Sequence, residues 1–110
     1  MTHSPDGLGL EVERRDSEVT IKLAGEIDLS NIARVRAALD DAASRAGPRV
    51  VIDLSQVSFL DSTTLGELVQ AKQRLADAGR ALVLTGMTPR VTRLFELTGL
   101  TGHFDIESQA

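Results

Sequence analysis

Two spacings of apolar residues alternate along the chain, and each change of spacing marks an element. Leu8, Leu10 and Val12 alternate with smaller or charged residues, and Val19, Ile21 and Leu23 repeat the pattern after Asp16 and Ser17. This predicts two strands joined by a tight turn. Beyond Gly25 the stretch EIDLSN breaks the alternation and reads as a loop. Ser30 or Asn31 can then cap a helix whose face is Ile32, Val35, Leu39, Ala42 and Ala43, with Gly47 and Pro48 as its stop.

The run Val50, Val51, Ile52, with Leu54 beyond, is nearly continuous in branched apolar residues, as in a central strand covered on both faces. A polar-apolar connection, SQVSFLDS, leads into a second helix with Leu65, Leu68, Val69, Leu75 and Ala76 on one side and Gly79 as its end. Leu82, Val83 and Leu84 repeat the buried-strand composition. Thr88 before Pro89 predicts a cap followed by proline in the first turn, opening a third helix through Val91, Leu94 and Phe95 to Gly99. A short strand near Phe104 to Glu107 closes the order β-β-α-β-α-β-α-β. The expected fold is therefore α/β, a single domain with a mixed sheet, right-handed crossovers, and three or four helices packed mainly on one side.

A chain of 110 residues holds one core. The polar start MTHSPDG reads as a flexible lead over residues 1–7, with the short GLG at Gly7 and Gly9 as lead-in, and residues 8–110 form the domain. Its composition excludes several classes of function. There is no cysteine, so neither disulfides nor thiolate metal sites can form. A net charge of -4 disfavours binding to nucleic-acid phosphates, and three Phe without Trp or Tyr give little material for base stacking. No apolar run approaches the ~20 residues that span a bilayer, so the expected location is the cytoplasm.

Chemistry is equally sparse. His3 and His103 have no ligand spacing around them, and neither a nucleophile elbow nor a phosphate-binding glycine pattern is present. No catalytic residue, cofactor or metal is expected, and a nucleotide-binding or weak nucleotide-hydrolysing role ranks last. The carboxylates Glu26 and Asp28, and likewise Asp40 and Asp41, read as solvated; Arg90 and Arg93 are neighbours on one helix face. The stretch FLDSTTLGEL is different, because Ser62, Thr63 and Thr64 stand together between a buried strand and an amphipathic helix. Capping accounts for hydroxyls there: Thr64-x-x-Glu67 fits a capping box, and Asp61, Ser62 or Thr63 could each cap.

Three segments carry a wider resemblance: GEID at Gly25 to Asp28, VVIDLSQVSFLDST at Val50 to Thr63, and RLFELTGL at Arg93 to Leu100. Along almost its whole length the chain resembles the STAS-domain anti-sigma factor antagonists of bacteria. The resemblance implies that the unphosphorylated protein binds an anti-sigma factor, often itself a serine kinase, and so releases a sigma factor. Ser62 matches the serine that such a kinase phosphorylates and a phosphatase restores; Thr63 and Thr64 offer neighbouring hydroxyls. Asp28, Asp61, Ser62, Thr63, Thr64 and Leu65 form the implied partner surface, on a monomer or weak dimer. The family usually has glycine where this chain has Thr64. Two alternatives keep the same fold without the switch: a STAS subunit of a membrane lipid-transport (ABC) complex, and a scaffold subunit of a stress-sensing assembly.

Overall fold

The computed structural model describes residues 6–45 and 49–107. The expected helix stop at Gly47 and Pro48, and most of the polar lead, lie outside them. Along the chain run β1 (Leu8–Arg14), β2 (Glu18–Ile27), α1 (Ile32–Arg45), β3 (Arg49–Leu60), α2 (Ser62–Asp77), β4 (Ala81–Thr85), α3 (Pro89–Thr98), a 3-10 turn (Thr101–His103) and β5 (Asp105–Glu107). The single sheet has the order β1-β2-β3-β4-β5, with β1 antiparallel to β2 and every later neighbour parallel.

This order decides where the helices go. Each crossover from β2 onward moves one place in the same direction, and right-handed crossovers of that kind deposit their helices on one face. Val19, Ile21 and Leu23 of β2, Val50, Ile52 and Leu54 of β3, and Leu82 and Leu84 of β4 join helix residues Val35, Leu39, Leu68, Leu75, Val91 and Phe95 in one core. The alternate residues face away from it. Val51 and Val83 are paired neighbours there, buried but outside the core cluster. The helices thus lie on one face, as expected, and the second face of the central strand is covered by side chains of the sheet itself. Arg49 reaches from β3 to Glu18 on β2 at 2.9 Å and to Glu107 on β5 at 2.6 Å.

The strands extend further than their pattern suggested. β3 runs through Leu60 and absorbs most of the expected connection SQVSFLDS, while β2 continues through Glu26 and Ile27 to pair with Phe59 and Leu60. Register shifts between Lys22 and Ala24 and between Gly25 and Glu26 interrupt the period of two, which hides the strand continuation. Gly25 takes φ 96° at the second shift, a left-handed conformation that favours glycine. Gly9 also proves to be a strand residue, paired with Ala24.

On α2 the buried face is Thr64, Leu65, Glu67, Leu68, Ala71 and Leu75. Val69 and Ala76, expected inside, are exposed: seven residues apart, they share the helix side opposite Ala71, which is buried. α3 follows its sequence signals closely: Thr88 Oγ1 accepts the Val91 N–H, Pro89 opens the first turn, and Gly99 at φ 72° ends the helix. Phe95 meets Phe104 edge-on with ring centroids 5.6 Å apart, and this contact holds the 3-10 turn and β5 against α3.

Candidate functional site

Parallel strands bring the segments that follow them to the same end of the sheet. Ile27 and Leu60 are paired at the ends of β2 and β3, so the loop into α1 and the start of α2 leave the sheet side by side. Asp28, Asp61 and Ser62 are therefore brought together by the sheet.

α2 begins with Asp61 as its N-cap. The Asp61 carboxylate accepts the Thr64 N–H at 2.9 Å. The capping box expected from Thr64 and Glu67 does not form, because Asp61 already fills the cap and Glu67 turns toward two arginines. Ser62 and Thr63 occupy the first two helical positions, and both are exposed. Their N–H groups head the helix, where no preceding turn supplies a carbonyl and the helix dipole favours an anion.

Thr64 and Leu65 differ from their neighbours. Thr64 is 1% exposed and Leu65 4%, which corrects their expected place on a partner-facing surface and removes Thr64 as an accessible hydroxyl. The Thr64 Oγ1–H is within bonding distance of Asp61 Oδ1 at 2.9 Å and of the Ile27 carbonyl at 3.2 Å. Leu65 belongs to the core. Helix geometry explains the division, since the third and fourth positions of a first turn face the sheet when the first two face water.

Asp28 sits half-buried at the entrance to α1. Its Oδ1 accepts from the Ser30 N–H at 2.9 Å and the Ser30 hydroxyl at 2.5 Å, while its carbonyl accepts the Ile32 N–H. Asn31, expected as a simple helix cap, is instead a buried tie. Its Oδ1 accepts the Asp28 N–H at 3.0 Å, and its Nδ2 donates to the carbonyls of Glu26 at 2.9 Å and Asp6 at 3.1 Å. The Asp6 carboxylate is also paired with Arg34 at 3.0 Å. Burial pushes its pKa up, but the Leu8 N–H and the Arg34 guanidinium outweigh that and hold it below the usual carboxylate range.

Between the end of β3 and α3 lies an apolar groove of about 290 Å³, lined by Phe59, Leu60, Val91, Leu94 and Leu97 with Arg90 and Arg93. Phe59 and Leu97 are exposed, as is Leu29 in the Asp28 loop. The sequence offered one signal for these three: each is an apolar residue that fits no core period. Both arginines are exposed. Among the described residues no group of three or more His, Asp or Glu side chains could hold a metal ion, and no helix is long and apolar enough to cross a membrane. His103 contributes its backbone carbonyl, which accepts from Lys72 Nζ.

A protein-family model described as "Mlab, STAS domain" matches residues 10–107. The anti-sigma-B factor antagonist of Listeria monocytogenes is 38% identical over 102 residues, covering 92% of this chain and 90% of that protein. The anti-sigma-B factor antagonist of Bacillus subtilis is 31% identical over 103 residues, with 94% of each chain covered. The crystal structure of an anti-sigma factor antagonist from Mycobacterium paratuberculosis superimposes with a TM-score of 0.83 at 28% identity, over 96% of this chain and 89% of that one.

Proposed function

The chain belongs to the STAS-domain family of anti-sigma factor antagonists, and from that premise we propose that it binds an anti-sigma factor of the serine-kinase type until Ser62 is phosphorylated. Binding removes the anti-sigma factor from its sigma factor. A phosphatase returns the chain to its binding form, and the exchange takes place in the cytoplasm.

The position of Ser62 carries this reading. Of three consecutive hydroxyls, Thr64 is consumed by the fold, whereas Ser62 is exposed at the first position of α2, directly after Asp61. A phosphoryl group there adds roughly -1.5 to -2 charge. The N-terminus of α2 tolerates that charge within the free fold, so the fold survives while the surface beside Asp28 and Asp61 becomes strongly anionic.

The groove, whose wall includes Leu60 two residues before Ser62, gives the partner an apolar anchor, with Phe59 and Leu97 open to solvent. Arg90 and Arg93 on its rim suit an anti-sigma factor surface that carries carboxylates around an apolar contact. Such a surface would be repelled by a phosphate at Ser62, and every ~1.4 kcal/mol of repulsion lowers affinity tenfold.

The test is capture from source-cell lysate on immobilised wild-type and Ser62→Asp chains, with bound proteins identified by mass spectrometry. An anti-sigma kinase held by wild type and not by Ser62→Asp supports the reading. Transporter subunits recovered equally on both would replace it with a non-switching role.

A further inference from the structure

The peptide group between Ile27 and Asp28 is held on both sides. Its carbonyl, on Ile27, accepts the Asp61 N–H at 3.3 Å and lies 3.2 Å from the Thr64 hydroxyl, both at the start of α2. Its N–H, on Asp28, donates to Asn31 Oδ1 at the start of α1. Asn31 also holds the Glu26 carbonyl one peptide earlier and the Asp6 carbonyl across the strand end. Asn31 and Thr64 are both 1% exposed, and with Glu67 they are the buried polar residues among those described.

Neither side chain is needed to start its own helix. The α2 cap comes from Asp61, and Asn31 spends its carboxamide on strand and loop backbone instead of the first turn of α1. Burying a carboxamide and a hydroxyl costs free energy unless each finds partners, and here every partner is the backbone of residues 6, 26, 27 and 28 or the Asp61 carboxylate. The two buried groups thus meet on one short segment, residues 26–28, which passes the Asp61 cap just before Ser62.

We infer that Thr64 and Asn31 are positioning residues that lock the Asp28 loop to the Ser62 helix, so that a partner meets one preformed surface instead of two independent loops. Thr64 is the distinctive half. A glycine, the residue expected there from the resemblance, supplies no hydroxyl to the Ile27 carbonyl and leaves the Asp61 N–H as the sole tie from α2. The lock rests on the proposed reading only for its role in partner binding; the coupling itself belongs to the free chain and is measured there.

The experiment is residue-resolved amide hydrogen exchange on the free protein as wild type, Thr64→Val and Thr64→Ser. Loss of the hydroxyl is expected to speed exchange at Asp28 and Asp61 about tenfold, the scale of one buried hydrogen bond. Amides of Ile52 and Leu84 in the sheet should keep their wild-type rates, and Thr64→Ser should restore both loop amides. Unchanged exchange at Asp28 and Asp61 in Thr64→Val overturns the inference. So does an increase shared evenly with Ile52 and Leu84, which marks general destabilisation. Because no partner is present, failure here leaves the antagonist reading intact, and failure to capture an anti-sigma factor leaves the lock intact.

Discussion

Arg36 Nε donates to Glu67 Oε1 over 2.7 Å and thereby ties α1 to α2 through a carboxylate that is itself buried. Arg74 Nη2 meets the other oxygen at 2.8 Å and reaches Asp40 at 3.3 Å, so the two helices share one chain of charges. Both arginines keep contact with water, Arg36 with 53% of its side chain exposed and Arg74 with 39%. The desolvation cost therefore falls mainly on Glu67. Burial pushes its pKa up, but the hydrogen bonds from Arg74 and Arg36 outweigh burial and bring it below the usual glutamate value.

A depressed carboxylate pKa means that the native state holds the proton more weakly than the unfolded chain. The Glu67 contribution is thus fully present above the unfolded value of ~4.3 and is lost as the pH falls through the native one. Glu67→Gln is expected to lower stability at pH 7 by about 1–3 kcal/mol, since charged hydrogen bonds become neutral ones. Denaturant unfolding between pH 7 and pH 3 should show the gap between wild type and Glu67→Gln narrowing as the pH falls below ~4. A constant gap across that range would remove the charge account.

Replacement of Ser62 separates folding from switching. Ser62→Ala should abolish phosphate incorporation by the cognate kinase and leave binding in place. Ser62→Asp should weaken binding by tenfold or more, about 1.4 kcal/mol, with a stability change within ~0.5 kcal/mol as for other surface sites. Kinase assays, calorimetric titration and thermal melts read the three effects, and normal phosphorylation of Ser62→Ala would defeat the assignment.

Asp61 has a structural duty that Ser62 lacks. Asp61→Ala removes the acceptor for the Thr64 N–H and is expected to cost about 0.5–2 kcal/mol, whereas Asp61→Asn should keep most of the cap. Thermal unfolding of the two variants checks the order; equal losses would mean that the carboxylate charge, and not its acceptor oxygen, supports the helix.

The groove makes a claim about binding alone. Leu97 is 68% exposed, so Leu97→Asp should change stability by no more than ~0.5 kcal/mol and reduce affinity for the captured anti-sigma factor. The introduced carboxylate would face the same acidic surface that Arg90 and Arg93 are suited to attract. Retained affinity would place the partner elsewhere.

Gly99 tests the backbone. At φ 72° it ends α3, with the Leu100 N–H bonded to the Phe95 carbonyl at 3.0 Å. Gly99→Ala puts a side chain into the left-handed region and should lower stability by about 1 kcal/mol, read as a drop in the thermal midpoint.

How much was legible beforehand depended on distance along the chain. Thr88, Pro89 and Gly99 act within one turn, so the bounds of α3 could be read from the sequence. The strand from Ser55 to Leu60 could not, because β3 carries an extra residue between Asp53 and Gln56 and another between Val57 and Phe59, which breaks the alternation that would have shown it. A helical face read from spacing is broad enough to include Val69, and only docking of α2 on β4 and α1 decides which edge of it is covered. Asn31 and Thr64 look like ordinary capping residues; what they hold lies up to 25 and 37 positions away, and no local pattern encodes that.

The sequence by itself determined the order of elements, the single core, the family and the hydroxyl run at the start of α2. These follow from the period of apolar residues and from caps and turns, which act between near neighbours. Only the tertiary structure decided which of Ser62, Thr63 and Thr64 face water, that Leu65 is core, and that the Asp28 loop leaves the sheet beside Asp61. The physical reason is that parallel pairing of β2 with β3 brings distant loops to one sheet end, where burial then assigns each side chain to solvent or to the fold.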